Sequence, residues 1–161
     1  KTITLGSFAD RKALLVMFIC RHCPYVQHVK EELARLGKDY LPKGMGIVAS
    51  SSNDAANYPD DSPAKLKELA REMGFNFPFC HDESQEAAKE YSAACTPDFF
   101  VFDKARKLRY RGKLDDSKDP NGVKRKIMRE VLDSLVAGKD PPVTFVPPMG
   151  CSIKWRPSHF K

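Results

Sequence analysis

Two cysteines three residues apart, Cys20 and Cys23, close the segment Phe18-Ile-Cys-Arg-His-Cys-Pro24. An apolar run, Ala13 to Cys20, precedes them, and Pro24 follows at once. Proline suits the first position of a helix, where its missing N–H would have no partner. Cys23 therefore stands where a strand hands over to a helix, and its sulfur faces unpaired N–H groups and the positive end of the helix dipole. The thiolate is the reactive form of cysteine, and such a setting lowers its pKa from about 8.5 to within about 3.5–7.5. His22 adds positive charge if its ring turns to the sulfur. The chemistry this allows is nucleophilic attack by Cys23 on a sulfur or a peroxide oxygen. The alternative is a small buried hydrophobe at a strand end.

The remaining cysteines are candidates to resolve an oxidised Cys23. Cys20 has the spacing of a redox pair, but its place at the strand end can also bury it and turn it away. Cys151 lies in Met149-Gly-Cys-Ser-Ile-Lys-Trp155 near the C-terminus, either free to swing towards Cys23 or packed under Trp155. Cys95 directly precedes Thr96-Pro97, and Cys80 reads as core. Thr96-Pro97 stands at the mouth of a strand, Asp98-Phe-Phe-Val-Phe102, where an ordinary trans proline is expected because it has no donor to lose. His28 reads as a surface histidine, His81 and His159 have no evident partner, and Asp60, Asp61, Asp115 and Asp116 read as solvated loop carboxylates.

Five cysteines in 161 residues form no disulfide scaffold, and no second Cys-x-x-Cys completes a zinc site. A reducing compartment suits the count, and a cytoplasmic location is the expectation. The net charge of +6 invites a nucleic-acid reading. However, Arg109, Arg111 and Lys113 alternate with apolar residues along a strand, and Lys124, Arg125, Lys126 and Arg129 surround the apolar positions of a helix, so a solvated surface is expected. No run is long enough to span a bilayer. No charged-then-apolar leader opens the chain, which begins at Lys1, as a trimmed or processed chain would.

The elements that must position these groups follow from periodicity. Strands are expected at Lys1–Leu5, Ala13–Cys20, Gly44–Ser50, Phe75–Cys80, Asp98–Asp103 and Lys107–Leu114. Helices are expected over 24–40, 62–74, 84–93 and 121–137, each with apolar residues at helical spacing. Residues 1–139 form one α/β domain with a central mixed sheet and helices on both faces. Residues 140–161 form a proline-rich tail, irregular and partly docked through Phe145, Ile153 and Trp155.

The chain resembles the thioredoxin-like superfamily, in particular peroxiredoxin-like redoxins of the alkyl hydroperoxide reductase/thiol-specific antioxidant kind. The resemblance rests on Phe18-Ile-Cys-Arg-His-Cys-Pro-Tyr-Val26, Ser52-Asn-Asp54, Tyr58-Pro-Asp-Asp-Ser-Pro63, Asp82-Glu-Ser-Gln-Glu86, Ala94-Cys-Thr-Pro-Asp-Phe-Phe100, Tyr110-Arg-Gly112, Leu114-Asp-Asp-Ser117 and Met149-Gly-Cys-Ser-Ile-Lys-Trp155. It implies a thioredoxin-like fold with a helix–strand insertion, further chain before Lys1, a cis-proline at Pro97, and Cys23 in the place of the attacking cysteine. Two positions depart from the pattern. Val26 stands where thioredoxins carry their second cysteine, and Cys20 where peroxiredoxins carry a threonine.

These features lead to a thiol-dependent oxidoreductase acting on a peroxide or a protein disulfide with a thiol reductant and no cofactor. Its site would be Cys23, resolved by Cys20 or Cys151, with Thr96 and Pro97 presenting backbone to the substrate. One rival is a Cu or Zn binding or delivery module using Cys20, Cys23 and either His22 or Cys151. The other is a catalytically silent thioredoxin-fold binding protein.

Overall fold

The computed structural model describes residues 3–21, 23–117 and 120–157. Strand β1 (Ala13–Phe18) lies at the centre of a mixed six-stranded sheet, and its alternation sets the two cores. Leu15 and Met17 point to one face and Leu14, Val16 and Phe18 to the other, as the period of two requires. The first face is covered by helix α1 (Pro24–Tyr40), through Val26, Val29, Leu33 and Leu36. The second carries Phe18 and Phe100 with Tyr91 edge-on to both rings.

Strand β2 (Met45–Ser51) pairs parallel with β1 from Ala13↔Met45 to Phe18↔Ser50. Helix α2 (Pro63–Met73) starts on Ser62, whose Oγ accepts from the Lys65 N–H, and stops at Gly74, where φ is +68°. Strand β3 (Phe79–His81) adds parallel to β2, and helix α3 (Glu86–Tyr91) follows. This helix–strand pair is the insertion implied by the resemblance. A two-residue strand β4 (Cys95–Thr96) leads into β5 (Asp98–Asp103), antiparallel to β1, and β6 (Leu108–Gly112) closes the hairpin. Helix α4 (Ile127–Val136) joins α1 on the first face through Val131, Leu132 and Leu135. The sheet order is β3-β2-β1-β5-β6 with β7 (Phe145–Val146) outermost, parallel to β6. Strand β8 (Cys151–Ser152) pairs antiparallel with β4 in a separate small sheet. None of the described helices is long and apolar enough to cross a membrane.

Several expectations need correction. Lys1 and Thr2 of the expected first strand lie outside the described residues. Its last residue, Leu5, begins a 3-10 turn, Leu5–Phe8, held by Thr4 and Ser7 bonding each other's backbone. The last helix starts at Ile127 rather than near 121, because the Asp116 carboxylate accepts the N–H groups of Lys124 and Arg125 at 2.9 and 3.0 Å and holds them out of the helix. The tail is irregular for most of its length, yet it donates strands to both sheets. Neither Asp61 nor Asp115 is solvated. Asp61 is fully buried, accepting from the Arg21 N–H and Asn53 Nδ2 at 2.8 and 2.9 Å. Asp115 is buried against His28, whose Nε2 lies 3.3 Å from its carboxylate, so His28 is not a surface histidine.

Candidate active site

Cys23 is the N-cap residue of α1, with extended backbone (φ −65°, ψ 128°) and Pro24 in the first helical position. Buried β1 fixes one side of the turn and the apolar face of α1 the other, so the sulfur is held where the two elements meet. Across from it, β4 brings Thr96, and the Thr96–Pro97 peptide bond is cis. The Cys23 thiol donates to the Thr96 carbonyl at 3.4 Å. The Cys20 sulfur and Thr96 Oγ1 are also 3.4 Å apart.

Cys151 comes from the opposite end of the chain. Strand β8 lays it directly across from Thr96, and its sulfur is 2.7 Å from that of Cys23. Gly150 makes this approach possible: a Cβ there would fall on the Thr96 carbonyl oxygen. Thus Cys20, Cys23, Thr96, Pro97 and Cys151 form one group. Cys95 does not join them, since its thiol turns to the Pro97 carbonyl at 3.7 Å. Burial first and Asp98 second push it up to about 11. Cys80 sits on β3, two strands away from β1, with its thiol raised by burial. His22 and His159 lie outside the described residues.

The three sulfurs are unlike in ionisation. Cys23 is held well below the ordinary thiol range. The largest cause is a hydrogen bond from Cys20; burial opposes it, and the Cys151 thiol and the backbones of Cys151 and Val26 add to the lowering. Cys20 is pushed upward by the same partnership with Cys23 and by burial, with Thr96 pulling the other way. Cys151 is raised by its own burial and by Cys23. The opposed shifts place the first negative charge of the group on Cys23, whose protonated form is the one that donates to the Thr96 carbonyl.

The surroundings brace this loop. Asp98, immediately after Pro97, is fully buried; its Oδ2 accepts from the Ala94 N–H at 3.3 Å and lies 3.1 Å from Arg111 Nη2. Burial raises its carboxyl while Arg111 opposes the shift. Beside Pro97 a cleft of about 150 Å³ opens between Tyr25, Val29, Leu114 and Met149. Sequence reading missed Gly150, Asp98 and Arg111 as supports of the site. Gly150 next to Cys151 was the one visible signal. Among the described residues no cluster of three or more His, Cys, Asp or Glu side chains has the arrangement of a metal site.

A family model described as redoxin matches residues 1–132. The chain is 50% identical to an uncharacterised conserved protein from Geobacillus kaustophilus over 96% of its own length and 83% of that chain, with a TM-score of 0.91. It is 42% identical to a hypothetical protein from Sinorhizobium meliloti, covering 96% of this chain and 86% of that one, again with a TM-score of 0.91. A thiol-disulfide isomerase from Corynebacterium glutamicum shares the fold at 18% identity, with a TM-score of 0.67 over 85% of this chain and 88% of that one. No curated protein matches the sequence. With Cys23 at the head of α1, a cis-proline loop facing it and a matching family model over most of its length, the chain belongs to the redoxin family, within the thioredoxin-like superfamily.

Proposed function

We propose that the protein is a thiol–disulfide oxidoreductase in which Cys23 attacks and Cys151 resolves. The observation that carries this reading is the ionisable Cys23 sulfur at the α1 N-cap, 2.7 Å from the Cys151 sulfur. A disulfide needs about 2.05 Å between sulfurs, so bond formation asks for a shift of well under an ångström. The Cys23 thiolate attacks one sulfur of the substrate disulfide, forming a mixed disulfide and expelling the other half as a thiolate. Cys151, deprotonated as it attacks, then bonds to the Cys23 sulfur and expels the second half. The protein ends with a Cys23–Cys151 disulfide, the substrate with two thiols, and a thiol reductant restores the start.

Membership of the redoxin family supports oxidoreductase chemistry of this kind. The same thiolate would also attack a peroxide, leaving a sulfenic acid that Cys151 would condense with, releasing water. Disulfide exchange is the better-supported reaction. Among the described residues, the sulfur's hydrogen-bond partners are thiols and a backbone carbonyl, with no cation to stabilise a departing oxygen. Cys20 is the reserve rather than the first resolver: its buried sulfur lies against Thr96 Oγ1 at 3.4 Å, and its partnership with Cys23 and burial raise its thiol.

The test is a single turnover of reduced protein with one equivalent of a disulfide, quenched in acid and peptide-mapped. A Cys23–Cys151 disulfide is expected. Cys151→Ser should accumulate the mixed disulfide on Cys23, and Cys23→Ser should slow the reaction by at least about a hundredfold. An unimpaired Cys23→Ser variant would overturn the proposal.

A further inference from the structure

The nucleophile is covered. Cys23 is 1% exposed, and β8 occupies the Thr96 edge in front of it. The covering segment is not a loose end but a strap tied down on both sides. On the near side, Arg111 N–H bonds to the Thr144 carbonyl at 3.0 Å and β7 pairs with β6 at Gly112↔Val146. Gly112, at φ +140°, has no Cβ to collide with the Val146 carbonyl. On the far side, Ile153 is buried in the second core. The Lys154 backbone there donates to Asn53 Oδ1 at 2.8 Å, and its carbonyl accepts from the Asp54 N–H at 2.7 Å and Gln85 Nε2 at 3.0 Å. The Arg156 N–H adds a bond to Gln85 Oε1 at 3.0 Å. Between the two moorings, Pro147-Pro148-Met149-Gly150 contains two consecutive prolines with φ fixed, which leaves the arch little freedom.

Resting on the reading of Cys23 as the attacking thiol, we propose that this strap makes the enzyme selective for low-molecular-weight disulfides and excludes the disulfides of folded proteins. A polypeptide that brings its sulfur to Cys23 must lie along the Thr96 edge, and β8 already pairs with that edge. The opening left beside the arch is the cleft of about 150 Å³ between Tyr25, Val29, Leu114, Met149 and Pro97, with His28 and Asp115 among its walls. That space admits an alkyl disulfide and not a folded chain. Pro97 and Met149 are the walls nearest the buried sulfurs, next in sequence to Thr96, whose carbonyl touches Cys23, and to Gly150; a small substrate seated there reaches Cys23 by side-chain movement, whereas a polypeptide needs β8 to leave its edge. The electron count is that of the exchange above: one disulfide bond breaks in the substrate, one forms between Cys23 and Cys151, and two small thiols leave.

The experiment compares single-turnover oxidation of the reduced chain by 2-hydroxyethyl disulfide and by insulin. The small disulfide is expected to react at least about tenfold faster after correction for its intrinsic rate with free cysteine. Ile153→Ala removes the buried apolar anchor of the far mooring and loosens it without touching the thiols; it should raise the insulin rate at least about fivefold and leave the small-disulfide rate within about twofold. Comparable wild-type rates with both oxidants would overturn the selectivity while leaving the proposed chemistry standing. Failure of both oxidants to react at Cys23 would sink the proposed chemistry itself. Should Ile153→Ala not fold, the wild-type comparison decides alone.

Discussion

Cys20 and Cys23 stand one turn of chain apart, yet their surroundings drive them in opposite directions. Cys23, the N-cap residue of α1, has its thiol lowered, first by Cys20; Cys20, enclosed at the strand end against Thr96 Oγ1, is raised by its partnership with Cys23 and by burial. A hydrogen bond to a charged group is worth about 1.5–3 kcal/mol, which corresponds to about one to two pH units in the acceptor's titration. Cys20→Ala removes the largest of these donors, so the midpoint of Cys23 alkylation against pH should rise by about that amount, while Cys20→Ser, which keeps a donor, should move it less. An unchanged midpoint in the alanine variant would show that the helix end alone sets the charge. The sign of the linked stability follows from the same shift. A thiol whose folded pKa is depressed adds stability that is complete above its unfolded value and fades as the pH falls through the folded one.

At the scale of elements, the turn between β4 and β5 decides where Thr96 meets the sulfur, and Asp98 with Arg111 pins that turn. The Asp98 carboxylate is fully enclosed and the Arg111 side chain one-quarter exposed. Removing one partner of a buried ion pair costs about 3–5 kcal/mol, and the partial exposure of Arg111 puts Arg111→Ala at about 3 kcal/mol. Urea denaturation of the reduced protein should show this loss; a change below about 0.5 kcal/mol, the range of an ordinary surface substitution, would mean that the pair does not hold the turn. The long elements were legible because apolar spacing and capping residues agree: Pro24 and the Val26-Val29-Leu33-Leu36 stripe mark α1, and Ser62-Pro63 and Gly74 bound α2. Local side-chain bonds hid the rest. Asp116 capturing two amides delays α4, and Thr4 with Ser7 turns an expected strand into a 3-10 turn.

Across the whole molecule, the site is assembled from three distant stretches of chain. Cys23, Thr96 and Cys151 are 73 and 128 residues apart when counted from Cys23. Motif spacing pointed to Cys23 and left Cys20 and Cys151 undecided as resolver, while residue pattern alone gave an ordinary trans Pro97 and only the family resemblance implied the cis bond. The contact that brings Cys151 to Cys23 is a two-residue pairing, β4 with β8, too short to leave a periodic trace. Burial of His28 and Asp115 was equally invisible, since each looks solvated until α1 and the loop after β6 are packed together.

The most direct measurement is the ultraviolet thiolate absorbance of the reduced 161-residue chain as a function of pH, taken as the difference between the wild type and Cys23→Ser. One thiolate already present at neutral pH, with a midpoint well below the ordinary value of about 8.5, is the predicted result. A difference signal that emerges only at or above that value would contradict an ionised Cys23, and with it the proposed attack.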